Sequence, residues 1–289
     1  MDLFLQLVLS GLAVGSIYAC QALAVVMIHR SSGLVNFAQG EMAMFSTYIA
    51  WSLIQSGCSY WLAFVLTLII SFAGGALLQR LFHPLRHASQ LAHIILFLGL
   101  FTIINSAAGW IWDFTIKPFP SPFPEGSLGG LIDYHKLGIL AVVLILMCAL
   151  YGFFRFTQVG LAMRATAQNP ESARLVGIRV AWMIVLGWGM AAALGAVAGM
   201  MIAPIVYLEP NMMGAILLYS FAAAVVGGIN SPGGAVAGGL LMGLIENLAG
   251  AYIPFIGNEL KLAFALMVIV VVLLLKPGGL FGRVTVHRV

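Results

Sequence analysis

Hydrophobic residues run in long blocks along this chain, near 3–28, 41–55, 60–80, 90–111, 137–154, 181–205, 213–229, 233–253 and 259–276. A helix needs about 20 apolar residues to cross the hydrocarbon of a bilayer, and most of these blocks approach or exceed that length. The pattern predicts an all-α polytopic membrane protein with roughly eight or nine transmembrane helices. The second and seventh blocks are short, so eight spans with interrupted or re-entrant pieces fit as well as nine. No polar stretch between blocks is long enough to fold alone. Residues 1–289 therefore read as a single integral membrane domain.

Composition strengthens this picture. The chain is 62% hydrophobic and 8% charged, with a mean hydropathy of +1.07. Soluble domains carry about a quarter charged residues, so most of this surface faces lipid. The formal net charge of +4 is modest and gives no reason to expect a nucleic-acid partner. Cys20, Cys58 and Cys148 are scattered without metal-ligand spacing and read as small hydrophobes, so no metal site is expected. The first block lacks the early Lys or Arg of a signal peptide, Asp2 being its one early charge.

The basic residues set an orientation. His29 and Arg30 follow the first block, Arg80 and Arg86 the third, and Arg155, Arg164, Arg174 and Arg179 the fifth; Lys276, Arg283 and Arg288 end the chain. With alternating spans these fall on one side, which the positive-inside rule makes cytoplasmic. Asp113, Glu125, Asp133, Glu209 and Glu259 fall on the other side, with Lys117, Lys136 and Lys261 as the minority sign. The N-terminus is then outside and the C-terminus inside. The outer loop 112–136 contains "KPFPSPFPEGSLGG", whose prolines predict an irregular cap rather than a helix.

Polar residues that interrupt the oil are the candidate chemistry. "GLVNFAQGEMAM" (33–44) places Asn36, Gln39 and Glu41 between two apolar blocks, and "GINSPGG" (228–234) places Asn230 in a similar interruption. Irregular backbone at membrane depth is tolerated only inside protein or beside a water-filled cavity, and such breaks in corresponding halves point to a translocation site. One reading is a gate or pathway lining near the inner mouth. The other is a plain cytoplasmic loop with Glu41 as a first-turn residue favoured by the helix dipole. Glu246, within the eighth block, either faces a pathway or bonds a neighbouring helix to fix packing. Gln21, Tyr18 and Asn105 are weaker candidates of the same kind. The small-residue spacings Gly195 to Gly199 and Gly239 to Gly243 predict close helix contacts, either between these two stretches or with a second subunit.

The most polar stretch is "RFTQVGLAMRATAQNPESARLVGIRV", 155–180. Asn169 suits an N-cap, Pro170 the first helical position, Glu171 the positive end of the dipole and Gly177 the terminating position. Ala173, Leu175 and Val176 supply an apolar side, with Arg174 pointing away. The expectation is a short, rigid surface helix, offered to a partner protein or resting on lipid headgroups.

Three blocks carry a resemblance: "GLAVGSIYACQALAVVMIHRSSGLVNFAQGEMAMFSTYIA", "GLAMRATAQNPESARLVGI" and "AAAVVGGINSPGGAVAGGLLMGLIEN". Together the sequence resembles the LivH-type permease subunit of branched-chain amino acid ABC importers. The resemblance implies a type II-like ABC importer permease core, with the cytoplasmic loop 155–180 coupling to an ATPase through Ala167, Gln168, Asn169, Pro170, Glu171, Arg174 and Gly177. It also implies a second, LivM-like permease, two ATPase subunits and a periplasmic solute-binding protein, in the inner membrane. The chain contains no G-x-x-x-x-G-K-[ST] motif, so ATP and Mg are expected on the ATPase partners. A stand-alone carrier using Glu41 and Glu246 for proton coupling is the competing class. No H-E-x-x-H, no G-x-S-x-G and no paired intramembrane aspartates support an intramembrane enzyme.

Overall fold

Each hydrophobic block forms a helix, because a backbone in lipid must satisfy its own N–H and C=O groups. The computed structural model describes residues 2–255, 257 and 260–282; Arg283, Arg288 and Glu259, and the side chain of Arg86, lie outside what it describes. The helices are α1 (Asp2–Ser32), α2 (Gln39–Gln55), α3 (Tyr60–Phe82), α4 (Gln90–Trp112), α5 (Tyr134–Phe156), α6 (Gln158–Gln168), α7 (Pro170–Leu175), α8 (Val180–Val206), α9 (Gly214–Gly227), α10 (Pro232–Tyr252) and α11 (Lys261–Leu275). Among the described residues six helices, α1, α3, α4, α5, α8 and α10, are long and apolar enough to cross a membrane. The helices α2, α9 and α11 have 17, 14 and 15 residues. At 1.5 Å per residue they fall short of a hydrocarbon core about 30 Å thick.

Helix α1 is the axis of the bundle, with Ala22, Ala24, Val25, Val26 and Ile28 fully buried. It packs on α10, α8, α9 and α5. The peripheral helices turn Ile69, Ile103, Ile145 and Leu274 outward, a face that only lipid or another apolar surface can cover.

Glycines set the closest approaches. A Cβ on Gly15 would stand 2.9 Å from the Gly239 carbonyl oxygen, and one on Gly11 would stand 3.0 Å from that of Gly243. The α1–α10 contact is therefore backbone against backbone. On α8, Gly195 and Gly199 face Gln39, Ala43 and Thr47 of α2. The two glycine-rich stretches thus each pack against a different helix, not against each other. Lipid exerts no hydrophobic push between helices, so such small-residue contacts hold the bundle by close van der Waals packing.

The proline-rich loop is irregular as expected, ending in a short hairpin of β1 (Ser127–Leu128) and β2 (Ile132–Asp133). It is tied down by Trp51 Nε1 donating to the Pro118 carbonyl (3.2 Å), Gln6 Nε2 to that of Gly130 (2.8 Å), and a backbone bridge between Lys117 and Leu208. This end of the bundle is the hairpin end; the other carries α6 and α7.

Candidate functional site

The chain leaves α1 through Gly33, whose φ of +72° suits glycine, and runs without helix to Gln39. Asn36 is fully buried. Its Oδ1 accepts from the Ala38 N–H at 2.9 Å, an Asx turn, and its Nδ2 donates to Met42 Sδ at 3.4 Å. Gln39, also fully buried, donates Nε2 to the Ala191 carbonyl at 2.9 Å. Ala191 follows Val180, the start of α8, by eleven residues, a rise of about 16 Å. Helix α2 therefore begins beside the middle of α8.

A second amide joins it there. A Cβ on Gly195 would lie 2.7 Å from Gln39 Nε2 and 3.5 Å from Gln21 Oε1, so the glycine leaves room for both side chains. Neither polar atom of Gln21, nor Gln39 Oε1, has a hydrogen-bond partner among the protein atoms described. Buried amides are rarely left so, and the pair forms a polar spot in the apolar core.

Two residues further on, Glu41 is 1% exposed and accepts from Asn105 Nδ2 at 3.1 Å. The same Nδ2 lies 3.0 Å from the Pro210 carbonyl and 3.2 Å from Asn211 Oδ1. Asn105 on α4 thus joins the first turn of α2 to the segment leading into α9. A Cβ on Gly40 would touch Leu217 at 3.2 Å and Met213 at 3.5 Å, so the N-terminal turns of α2 and α9 abut. Asn105 carries only a weak signal in the sequence and Asn211 none; the meeting of distant segments gives them weight.

Glu246 lies in a different interface. It accepts from the Tyr18 hydroxyl at 2.7 Å and is also hydrogen-bonded by Tyr219. The two rings stack at 5.0 Å, clasping the carboxylate between α1, α9 and α10. The bond to neighbouring helices is the arrangement present, and Tyr219 had no sequence signal beyond being an aromatic in an apolar block.

Asn230 is not brought to these groups. It is exposed in the turn between α9 and α10, at the end of α9 opposite Gly214. That helix's 14 residues place it about 20 Å from the α2–α9 junction. The turn is closed by the chain after α11, with the Leu280 N–H donating to the Val226 carbonyl (2.7 Å) and Phe281 to that of Gly227 (3.1 Å). "GLVNFAQG" and "GINSPGG" are thus unlike in three dimensions: one returns to the middle of the bundle, the other is a tight turn at its end.

At that same end, α7 is built as its sequence predicts. Asn169 Oδ1 accepts from both the Glu171 and Ser172 N–H groups at 3.0 Å. Gly177, at φ +84°, and Ile178 donate back to the Arg174 and Ala173 carbonyls at 3.0 Å, a Schellman closure. The expected apolar side is divided: Ala173 is buried, but Leu175 and Val176 are 89% and 76% exposed. A six-residue helix turns less than twice, so one face takes Ala173 into the bundle and the next residues project. Gln168, Asn169, Pro170, Glu171, Arg174 and Gly177 are exposed and Ala167 half-buried.

The sequence matches, over residues 7–273, the family described as branched-chain amino acid transport system / permease component. It is 32% identical to the high-affinity branched-chain amino acid transport system permease protein BraD of Pseudomonas aeruginosa, with 99% of this chain and 98% of that one covered. It is 30% identical, with the same coverage, to the corresponding permease protein LivH of Escherichia coli. Among solved structures, PsaBC from Streptococcus pneumoniae in complex with Fab is similar in fold, with a TM-score of 0.51, 13% identity and 92% and 89% of the two chains covered.

Proposed function

The chain belongs to the permease-component family of branched-chain amino acid transport systems, and from that premise we propose that it forms half of the membrane path of an ATP-driven importer for leucine-like amino acids. The proposed assembly contains a second, LivM-like permease, two ATPase subunits bearing ATP and Mg, and a periplasmic solute-binding protein. The chain itself is a non-catalytic inner-membrane subunit with its N-terminus outside and α7 in the cytoplasm. Its type II-like core is one domain, 1–289, with α2 and α9 as interrupted, re-entrant helices.

The observation that carries this reading is α7. It is capped at both ends and presents Leu175 and Val176 to a partner beyond the bundle. Residues 167–177 are the coupling element in this proposal, with Gln168, Asn169, Glu171 and Arg174 at the contact. The abutting N-termini of α2 and α9 form the gate, with Asn36, Gln39 and Glu41 on the path and Asn105 holding them together. Asn230 and Glu246 act at the margins, Asn230 in the turn and Glu246 in helix packing. A path with neutral amides and few charges suits a zwitterionic cargo. The stand-alone proton carrier loses support, since family relatives are components of transport systems and Glu41 and Glu246 are held by an amide and two phenols.

The test is uptake of radiolabelled leucine by proteoliposomes holding the complex purified with this chain. Glu171→Arg and Gln168→Trp are expected to abolish uptake while the chain stays in the membrane. Wild-type uptake by both variants would remove α7 from the coupling role.

A further inference from the structure

A groove of about 340 Å³ opens at the α7 end of the bundle, between α1, α5, α6, α8 and α10. Its upper walls are Leu23 and Met27 of α1, Met147 and Leu150 of α5, and Val236 of α10. Leu23 precedes Arg30 by seven residues on one helix, so the apolar slot rises about 10 Å from its mouth. Tyr151 lines it and is 68% exposed, on the α5 face that also turns Leu144 outward. The slot therefore opens sideways, toward lipid.

Two arginines, Arg30 and Arg164, stand at the mouth and repel each other. No acidic side chain lines the groove, and the one ion pair among the described residues is Lys136 with Asp133, elsewhere. Arg164 Nε is buried without a hydrogen-bond partner. Two uncompensated guanidinium groups under a tall apolar slot match a ligand with an anionic head and a long hydrocarbon tail. We propose that this groove binds one anionic phospholipid of the surrounding leaflet, its phosphate on Arg30 and Arg164 and an acyl chain between α5 and α10.

The alternatives fit less well. An acidic side chain of a partner protein would meet the arginines and leave the slot empty. A free amino acid would bring an ammonium group for which the lining offers no carboxylate. The groove lies apart from Gln39 and Glu41, so this site and the proposed gate stand or fall separately.

The experiment is electron spin resonance of the full chain, in the complex with which it purifies, reconstituted in phosphatidylcholine vesicles with spin-labelled phosphatidylglycerol or phosphatidylcholine. The immobilised fraction should favour phosphatidylglycerol by about fivefold or more, at about fivefold per arginine. The preference should collapse in Arg30→Gln/Arg164→Gln and persist in Arg30→Lys. Leu150→Trp, which fills the slot without touching charge, should lower immobilised phosphatidylglycerol, and it serves if the double variant does not fold. Equal immobilisation of the two lipids by wild type, or unchanged preference in the Gln variants, would overturn the proposal. So would displacement of the lipid by saturating leucine, which would make the groove a cargo site, or its absence whenever ATPase subunits are bound.

Discussion

Glu41 and Asn105, 64 positions apart, share a hydrogen bond of 3.1 Å that fastens the first turn of α2 to the wall formed by α4. The carboxylate is buried, and this amide is its side-chain partner in the structure. Removing it leaves a buried acidic side chain with its donor gone. Asn105→Leu is expected to destabilise the protein by about 1–3 kcal/mol. Thermal unfolding in detergent should show the loss, with a larger fall in uptake than in binding-protein affinity. An unchanged melting temperature would mean that Glu41 finds another donor.

The gate proposal makes a separate claim for Gln39. Gln39→Leu removes the bond to the Ala191 carbonyl but also an orphaned acceptor, so stability should change little. Uptake rate, in contrast, should drop severalfold. Wild-type uptake by a properly folded Gln39→Leu protein would take the amide off the path.

Glycine contacts give a prediction with an internal control. Gly239→Val puts a branched side chain against the Ala19 backbone, whereas a Cβ on Gly74 meets nothing within 4 Å. Overpacking of this kind costs about 1–3 kcal/mol or more. Expression and monodispersity in detergent should fall for Gly239→Val and hold for Gly74→Ala. Equal behaviour of the two would show that α1 and α10 can separate without loss.

Proton coupling and helix packing predict different outcomes for one substitution. Glu246→Gln keeps an acceptor for Tyr18 and removes the titratable group. Leucine uptake should survive it and remain driven by ATP with no dependence on a pH gradient. Uptake that requires such a gradient in wild type and loses it in Glu246→Gln would restore the carrier reading.

The cap of α7 can be tested at Asn169, an exposed residue that the coupling proposal also places at the contact. Asn169→Ala deletes both side-chain bonds to the first turn, at about 1 kcal/mol for the helix. Uptake should fall partially, while Asn169→Asp, which still caps, should retain most of it. Identical uptake in the two variants would show that the cap does not matter to transport.

Much of this was legible in the sequence because lipid leaves the backbone few choices. Among the described residues each apolar block is helical, and Asn169, Pro170 and Gly177 announced α7 through chemistry confined to a few residues. Depth was not legible. The short length of the block at 41–55 hinted at interruption, but only the bond from Gln39 to Ala191, 152 positions away, places α2 beside the middle of α8. Asn36 and Asn230 looked alike because each follows an apolar block and a glycine, and a local pattern carries no information about which turn re-enters the bundle. Leu175 and Val176 were expected to pack beside Ala173, yet on so short a helix the burial of one residue dictates the exposure of its neighbours. The partners of the glycine spacings, α1 for α10 and α2 for α8, were likewise invisible, since small residues mark that something comes close without saying what.

The backbone seam between α1 and α10 has a mechanical corollary. Helices that touch through Gly11, Gly15, Gly239 and Gly243 have no side-chain layer between them to deform, so sliding or rotating one against the other means immediate collision. Under the gate proposal the switch of access falls to the elements arranged around this seam, with the short helices α2 and α9 as the moving parts and α1–α10 as the post against which they work.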